Sequence, residues 1–163
     1  IGLSSCIKYE DPIWTGSIVE FDLAAYTTKT GGFPFPLVNR VPTGFGRALN
    51  AGLDPATTTR LTADTIRMRV NLVGAQRSTP TTVNLRVAST FTTGVEGTHF
   101  NLLDRQVTIP ANSSFAIARW VCRNPGAPAP GTPATVQVVF ELTGASDLKP
   151  SENFKYLGWT IAQ

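Results

Sequence analysis

Residues 62–73 alternate between apolar and polar positions: Ile66, Met68, Val70 and Leu72 fall on one side, Arg67, Arg69 and Asn71 on the other. A period of two is what a strand with one buried and one wet face requires, because successive side chains point to opposite faces of a sheet. Residues 81–89 repeat the pattern, with Val83, Leu85 and Val87 opposing Asn84 and Arg86. Residues 134–143 repeat it again, with Val136, Val138, Phe140 and Leu142 opposing Gln137, Val139 and Glu141. Weaker strands are predicted over 17–23, 106–109, 114–122 and 155–161, which makes seven. Turn-rich stretches at 31–42, 50–55, 74–80, 110–113 and 124–133 separate them, and none leaves room for a good helix. Seven short strands divided by turns predict an all-β, two-sheet sandwich with Greek-key connections. Without an internal repeat or an obvious linker, residues 15–163 read as one domain behind an N-terminal tether of residues 1–14. The stretch 27–59 is long for a connection in a compact domain, so it is either a functional loop or holds a further element.

Composition narrows the picture. Charged residues are 15% of the 163, below the usual quarter or so, while there are 14 glycines, 12 prolines and 22 threonines. That mix excludes coiled coils and long solvent-exposed helices. The net charge of +3 comes from ten arginines and four lysines spread along the chain. A nucleic-acid partner is not expected, since it wants a basic cluster with interleaved aromatics. No window of 18 apolar residues exists to form a membrane-spanning helix.

Catalytic and metal chemistry is sparse. Cys6, Cys122 and His99 are the whole thiol and imidazole complement, and C-x-x-C is absent. No metal site and no cofactor are expected from so few ligands. The nucleophile elbow, the phosphate-binding loop and the dinucleotide fingerprint are missing, and the acidic residues are too scattered to single out a catalytic pair. Gly44-Phe45-Gly46 reads as a glycine-aromatic turn. The expectation is a protein that is not an enzyme.

Two segments carry resemblances. Leu3-Ser4-Ser5-Cys6 resembles a lipobox, and Ile7-Lys8-Tyr9-Glu10-Asp11 behind it is similar to the charged tether of surface lipoproteins of Bacteroidota. The resemblance implies a lipid on Cys6. A disulfide from Cys6 to Cys122 is the competing use of the same sulfur, since two cysteines in an exported chain pair by default. Further on, Gly94-Val95-Glu96-Gly97-Thr98-His99-Phe100 followed by Val107-Thr108-Ile109-Pro110-Ala111-Asn112 resembles the turn and strand of Calx-beta-like domains. That implies an immunoglobulin-like sandwich. His99 stands where the family usually has aspartate, which removes a calcium ligand. Together the two resemble surface lipoproteins often found beside outer-membrane nutrient-uptake systems. They imply an outer-membrane, cell-surface location with the lipid on the extracellular face. Thr65, in Asp64-Thr65-Ile66, fits the short O-glycosylation signal of that phylum. Asn112-Ser113-Ser114 matches an N-glycosylation sequon and reads as a turn.

Two clusters remain as candidate binding surfaces. Arg67, Arg69 and Arg86 would meet if strands 62–73 and 81–89 paired as a hairpin, giving a patch for an anion or a partner protein. The alternatives are that Glu20 or Glu141 neutralises them, or that the two strands belong to different sheets. Phe33, Pro34, Phe35, Pro36 and Phe45 put aromatic rings on a proline-stiffened loop, which must bury against the domain's own sheet edge or against a partner. Trp14, Trp120, Trp159, Tyr26, Tyr156 and the Phe33, Phe35, Phe45 group are the candidates for a sugar-stacking platform, although Trp120 lies in a central strand and reads as core. The function these features imply is a binding or assembly module, an accessory subunit of an outer-membrane uptake or secretion complex. Carbohydrate binding, or a structural role in an extracellular layer or filament, are the alternatives.

Overall fold

A computed structural model describes residues 16–40, 65–123, 130–131 and 134–162. The described strands are β1 (Ile18–Phe21), β2 (Leu37–Arg40), β3 (Thr65–Val73), β4 (Thr81–Val87), β5 (Phe100–Leu102), β6 (Gln106–Ile109), β7 (Phe115–Cys122), β8 (Thr135–Gly144), β9 (Lys149–Pro150) and β10 (Tyr156–Ala162). One short helix, α1 (Asp22–Tyr26), follows β1 directly. The strands form two five-stranded sheets, one in the order β5-β7-β3-β1-β9 and the other β2-β10-β8-β4-β6. All seven expected strands are present. The three additional ones, β2, β5 and β9, have two to four residues each and lie along the outer edges of the sheets.

Odd-numbered strands make up the first sheet and even-numbered strands the second, so each described strand is followed by one in the opposite sheet. The link at 74–80 therefore carries the chain across the sandwich and does not close a hairpin between β3 and β4. Each of those strands pairs with others instead, β3 with β1 and β7, β4 with β6 and β8.

Between the sheets lies an aromatic centre. Trp120 of β7 packs against Trp159 of β10 and Phe140 of β8 with ring centroids 5.1 and 5.4 Å apart, and Phe100 of β5 meets Phe140 edge-on at 6.0 Å. All four side chains are buried, as are Ile66, Met68 and Val70 of β3. Each such side chain contributes about 1.5–3 kcal/mol by leaving water. The centre carries a polar flaw, since the Trp120 indole Nε1 is buried without a hydrogen-bond partner among the described residues.

A second, smaller cluster covers the outer face of the even-numbered sheet. Phe35 is 1% exposed and packs with Val139 and Ala88, flanked by Phe33, Leu37, Phe91 and Tyr156. Val139, expected to face water, is covered by this layer. Gly158 of β10 makes the layer possible: a Cβ there would sit 2.6 Å from Leu37 and 3.2 Å from the Phe35 ring. The loop at 33–36 thus buries Phe35 and Pro36 against the domain's own sheet, one of the two alternatives its aromatics allowed. Phe35 and Pro36 are buried, Phe33 is half-buried, Pro34 alone is exposed, and Phe45 lies outside the described residues. Apolar aromatics beside a strand with no side chain at Gly158 find their burial locally. Replacing Phe35 with alanine is expected to lower the unfolding free energy by about 3–5 kcal/mol in chemical denaturation. A partner-binding loop would instead lose association at unchanged stability.

Candidate functional site

The site arises from strand lengths. β7 pairs with β3 from Phe115 to Val121, but on its other side β5 covers only Trp120 to Cys122. Past Leu102 the chain turns away, and the amides of Leu103 and Asp104 both donate to the Arg119 carbonyl, at 3.0 and 3.2 Å. Backbone direction alternates along an antiparallel strand, so Ile117 also turns its N–H and C=O to this side, where neither has a partner among the described residues. The equivalent groups of Phe115 are answered by the Ser113 hydroxyl. Facing this edge from the other sheet is β6, the outermost strand there. Leu85 donates to the Arg105 carbonyl, so the same alternation turns the backbones of Gln106 and Thr108 outward. Between the two edges runs a shallow groove of about 480 Å³ whose lining includes Asp104, Gln106, Thr108, Phe115, Ile117 and Arg119.

Every polar side chain on this rim is held in place. Arg119 grips Asp104 with two hydrogen bonds, Nε to Oδ2 at 2.8 Å and Nη2 to Oδ1 at 3.0 Å, and its backbone amide donates to Oδ2 at 2.9 Å. The hydrogen bond from the guanidinium holds the Asp104 carboxyl below its ordinary value of 3.8. Gln106 donates to the Asn84 side chain at 2.7 Å, and the Thr108 and Thr82 hydroxyls meet at 3.0 Å. Phe115 is 41% exposed. The Arg69 guanidinium lies 4.1 Å from its ring centroid, donates from Nε to Asn71 at 2.9 Å, and Asn71 in turn donates to Asp22 at 2.6 Å. A relay that begins in α1 therefore fixes the ring.

The structure redistributes the residues singled out from sequence. Arg67 and Arg69 lie on the outer face of the odd-numbered sheet, whereas Arg86 lies in the other sheet with its Nε 2.7 Å from Glu141. The three do not form one patch, because β3 and β4 never pair. Arg119 is the residue opposite Arg67. Trp120 and Trp159 are buried and cannot serve as platforms, and Trp14 lies outside the described residues. Cys122 faces the core, and Cys6, like the whole N-terminal tether, lies outside the described residues. Thr65 is exposed at the start of β3. In the turn before β5, the Val95 amide donates to His99 Nδ1 at 2.9 Å, while Glu96 is held by Arg105 at 2.7 Å and by the Leu102 amide at 3.2 Å. Phe115 was missed because its strand is apolar on both faces. Arg119 was the available signal, since it marks the outward set and Phe115 shares its parity.

A second cavity, of about 240 Å³, adjoins the outer aromatic layer and is lined in part by Arg86, Glu141, Tyr156 and Phe91. The Tyr156 hydroxyl donates to Glu141 at 3.2 Å, and burial raises the Tyr156 pKa. With Arg86 also on Glu141, the carboxylate there is already answered.

No family model matches the chain, and comparison with curated proteins finds no match. Among solved structures, a two-domain protein of unknown function from Bacteroides fragilis is similar at TM-score 0.53 and 9% identity, covering 90% of this chain and 45% of that one. A candidate carbohydrate-binding protein from Bacteroides ovatus is similar at TM-score 0.45 and 11% identity, over 61% of this chain and 31% of that one, too remote a likeness to carry an argument. The chain spans less than half the length of either structure. The first likeness shows that the fold is shared with a Bacteroides protein.

The Asp104 pKa gives a sign to acid behaviour. A carboxyl lowered in the folded state contributes stability that is fully present above its unfolded value, about 3.9, and is lost as pH falls through the lower folded value. Amide exchange at Leu103, Asp104 and Arg119 is expected to accelerate below about pH 4 by that linkage. In Asp104→Asn the same amides should exchange faster at neutral pH and show no such step.

Proposed function

We propose that this chain is a non-enzymatic binding module that holds a glycan strand in the groove between β6 and β7. The observation that carries this reading is Phe115, an exposed aromatic ring fixed beneath the Arg69 guanidinium beside a groove that also carries Asp104, Gln106, Thr108 and Arg119. The apolar C–H face of a sugar packs on an aromatic ring, and its hydroxyl pairs match planar groups such as the Asp104 carboxylate, the Gln106 amide and the Arg119 guanidinium. These side chains are already ordered by one another, so binding orders little that was loose. The N–H and C=O of Ile117, without a partner among the described residues, add a donor and an acceptor between the polar rim and the ring.

Hydrolysis is a poor fit to this groove. Glycosidases need two carboxyl groups about 5–9.5 Å apart. Asp104 is the only carboxylate among the described residues that line it, and Arg119 engages both of its oxygens. A lipid on Cys6 would hold such a module at the outer surface, where polysaccharide is met. The accessory-subunit reading draws on the outward backbones of Gln106 and Thr108, which offer an edge to which a partner's strand could add.

Phe115→Ala is expected to weaken polysaccharide binding at least tenfold, about 1.4 kcal/mol, with the melting temperature unchanged. Calorimetric titration against a polysaccharide panel checks this. No binding by the parent protein, or equal binding by the variant, sinks the glycan reading.

A further inference from the structure

The chemistry of that groove's flank extends the glycan reading, on which this inference rests. We infer that the glycan held there is acidic, bearing carboxylate or sulfate groups that seat between Arg67 and Arg119. In the β3–β7 ladder Arg67 stands directly opposite Arg119. Because the Arg119 backbone groups point away from β3, the two form a non-hydrogen-bonded pair, the type whose Cα atoms approach to about 4.5 Å and whose side chains lie closest. Like charges so placed are unfavourable unless something negative lies between them.

Among the described residues no carboxylate takes that place. Asp104 is engaged by Arg119 with both oxygens. Asp22 is turned to Asn71. Glu20 stands opposite Asn71, four residues along β3 from Arg67, a distance of about 13 Å at the rise of an extended strand. The other strand arginines with described side chains have partners: Arg86 has Glu141, Arg119 has Asp104, and Arg69 has the Phe115 ring and the Asn71 amide. Arg67 is exposed and has none among the described residues. Three guanidinia thus face one carboxylate on the flank of the groove that carries the sugar platform. A guanidinium left over beside another is suited to bidentate capture of a planar carboxylate or a sulfate.

The test uses the intact protein and its Arg67→Gln variant with polygalacturonate, a sulfated galactan and a neutral galactan, each titrated at low and raised salt. The expected result is that at least one acidic polymer binds ten or more times tighter than the neutral one and loses that advantage at raised salt. Which of the two binds separates a carboxylate ligand from a sulfate ligand. Arg67→Gln should lower acidic binding about tenfold, leave neutral binding within twofold, and raise the melting temperature by relieving the repulsion. A purely structural arginine would lower it. If the neutral galactan binds as well as the acidic polymers, or the variant binds all three unchanged, the inference is overturned while the glycan groove stands. If none binds, both fall.

Discussion

The packing of Trp120 between Trp159 and Phe140 sets the rest of the molecule. A strand has only two faces, and a slip of one residue exchanges them. With Trp120 inward, Ala118, Ala116 and Cys122 must also face the core, while Arg119, Ile117 and Phe115 face out. The largest side chain of the core thereby decides which residues form the rim of the groove. It also explains why the unpartnered indole Nε1 is tolerated. Its cost, about 1–3 kcal/mol, is smaller than that of losing the ring, about 3–5 kcal/mol.

The rim shows how weak interactions can matter for position more than for stability. An exposed ion pair such as Arg119 with Asp104 contributes at most about 1 kcal/mol. Yet together with the Leu103 and Asp104 amides on the Arg119 carbonyl it ends the cover that β5 gives to β7, and so fixes where the open edge begins. The relay from Asp22 through Asn71 and Arg69 to Phe115 works in the same way across three elements. On the outer face of the even-numbered sheet, Phe35 and Gly158 show the converse case, where a bulky residue and the absence of a side chain fit each other and bury the ring.

How far the sequence could be read follows from these facts. Strands β3 and β4 were legible because each has one buried and one wet face over seven or more residues, long enough for a period of two to stand out, and β8 because its sequence alternates over a similar length although Val139 on its outer face is covered. Strands β2, β5 and β9 and helix α1 are five residues or fewer, too short for any period, and tertiary contacts decide them. The arginines were recognised as a feature, but their grouping depended on strand pairing, which alternation along one strand does not encode. Arg86 with Glu141 was among the alternatives that alternation allowed, whereas Arg119 opposite Arg67 required the register of β7. The groove was not legible, because it consists of what neighbouring strands leave uncovered.

The alternation of successive strands between the sheets also constrains how the chain reaches this structure. No two described strands that are consecutive in sequence pair with each other, so no local hairpin can form early and template the rest. The only described partner of β2 is β10, at the far end of the chain, with Leu37 beside Gly158. Topologies so dominated by distant pairings fold on the slow side, in milliseconds to seconds. The second sheet therefore waits for β10, which pairs with both β8 and β2, before β2 gains a described neighbour.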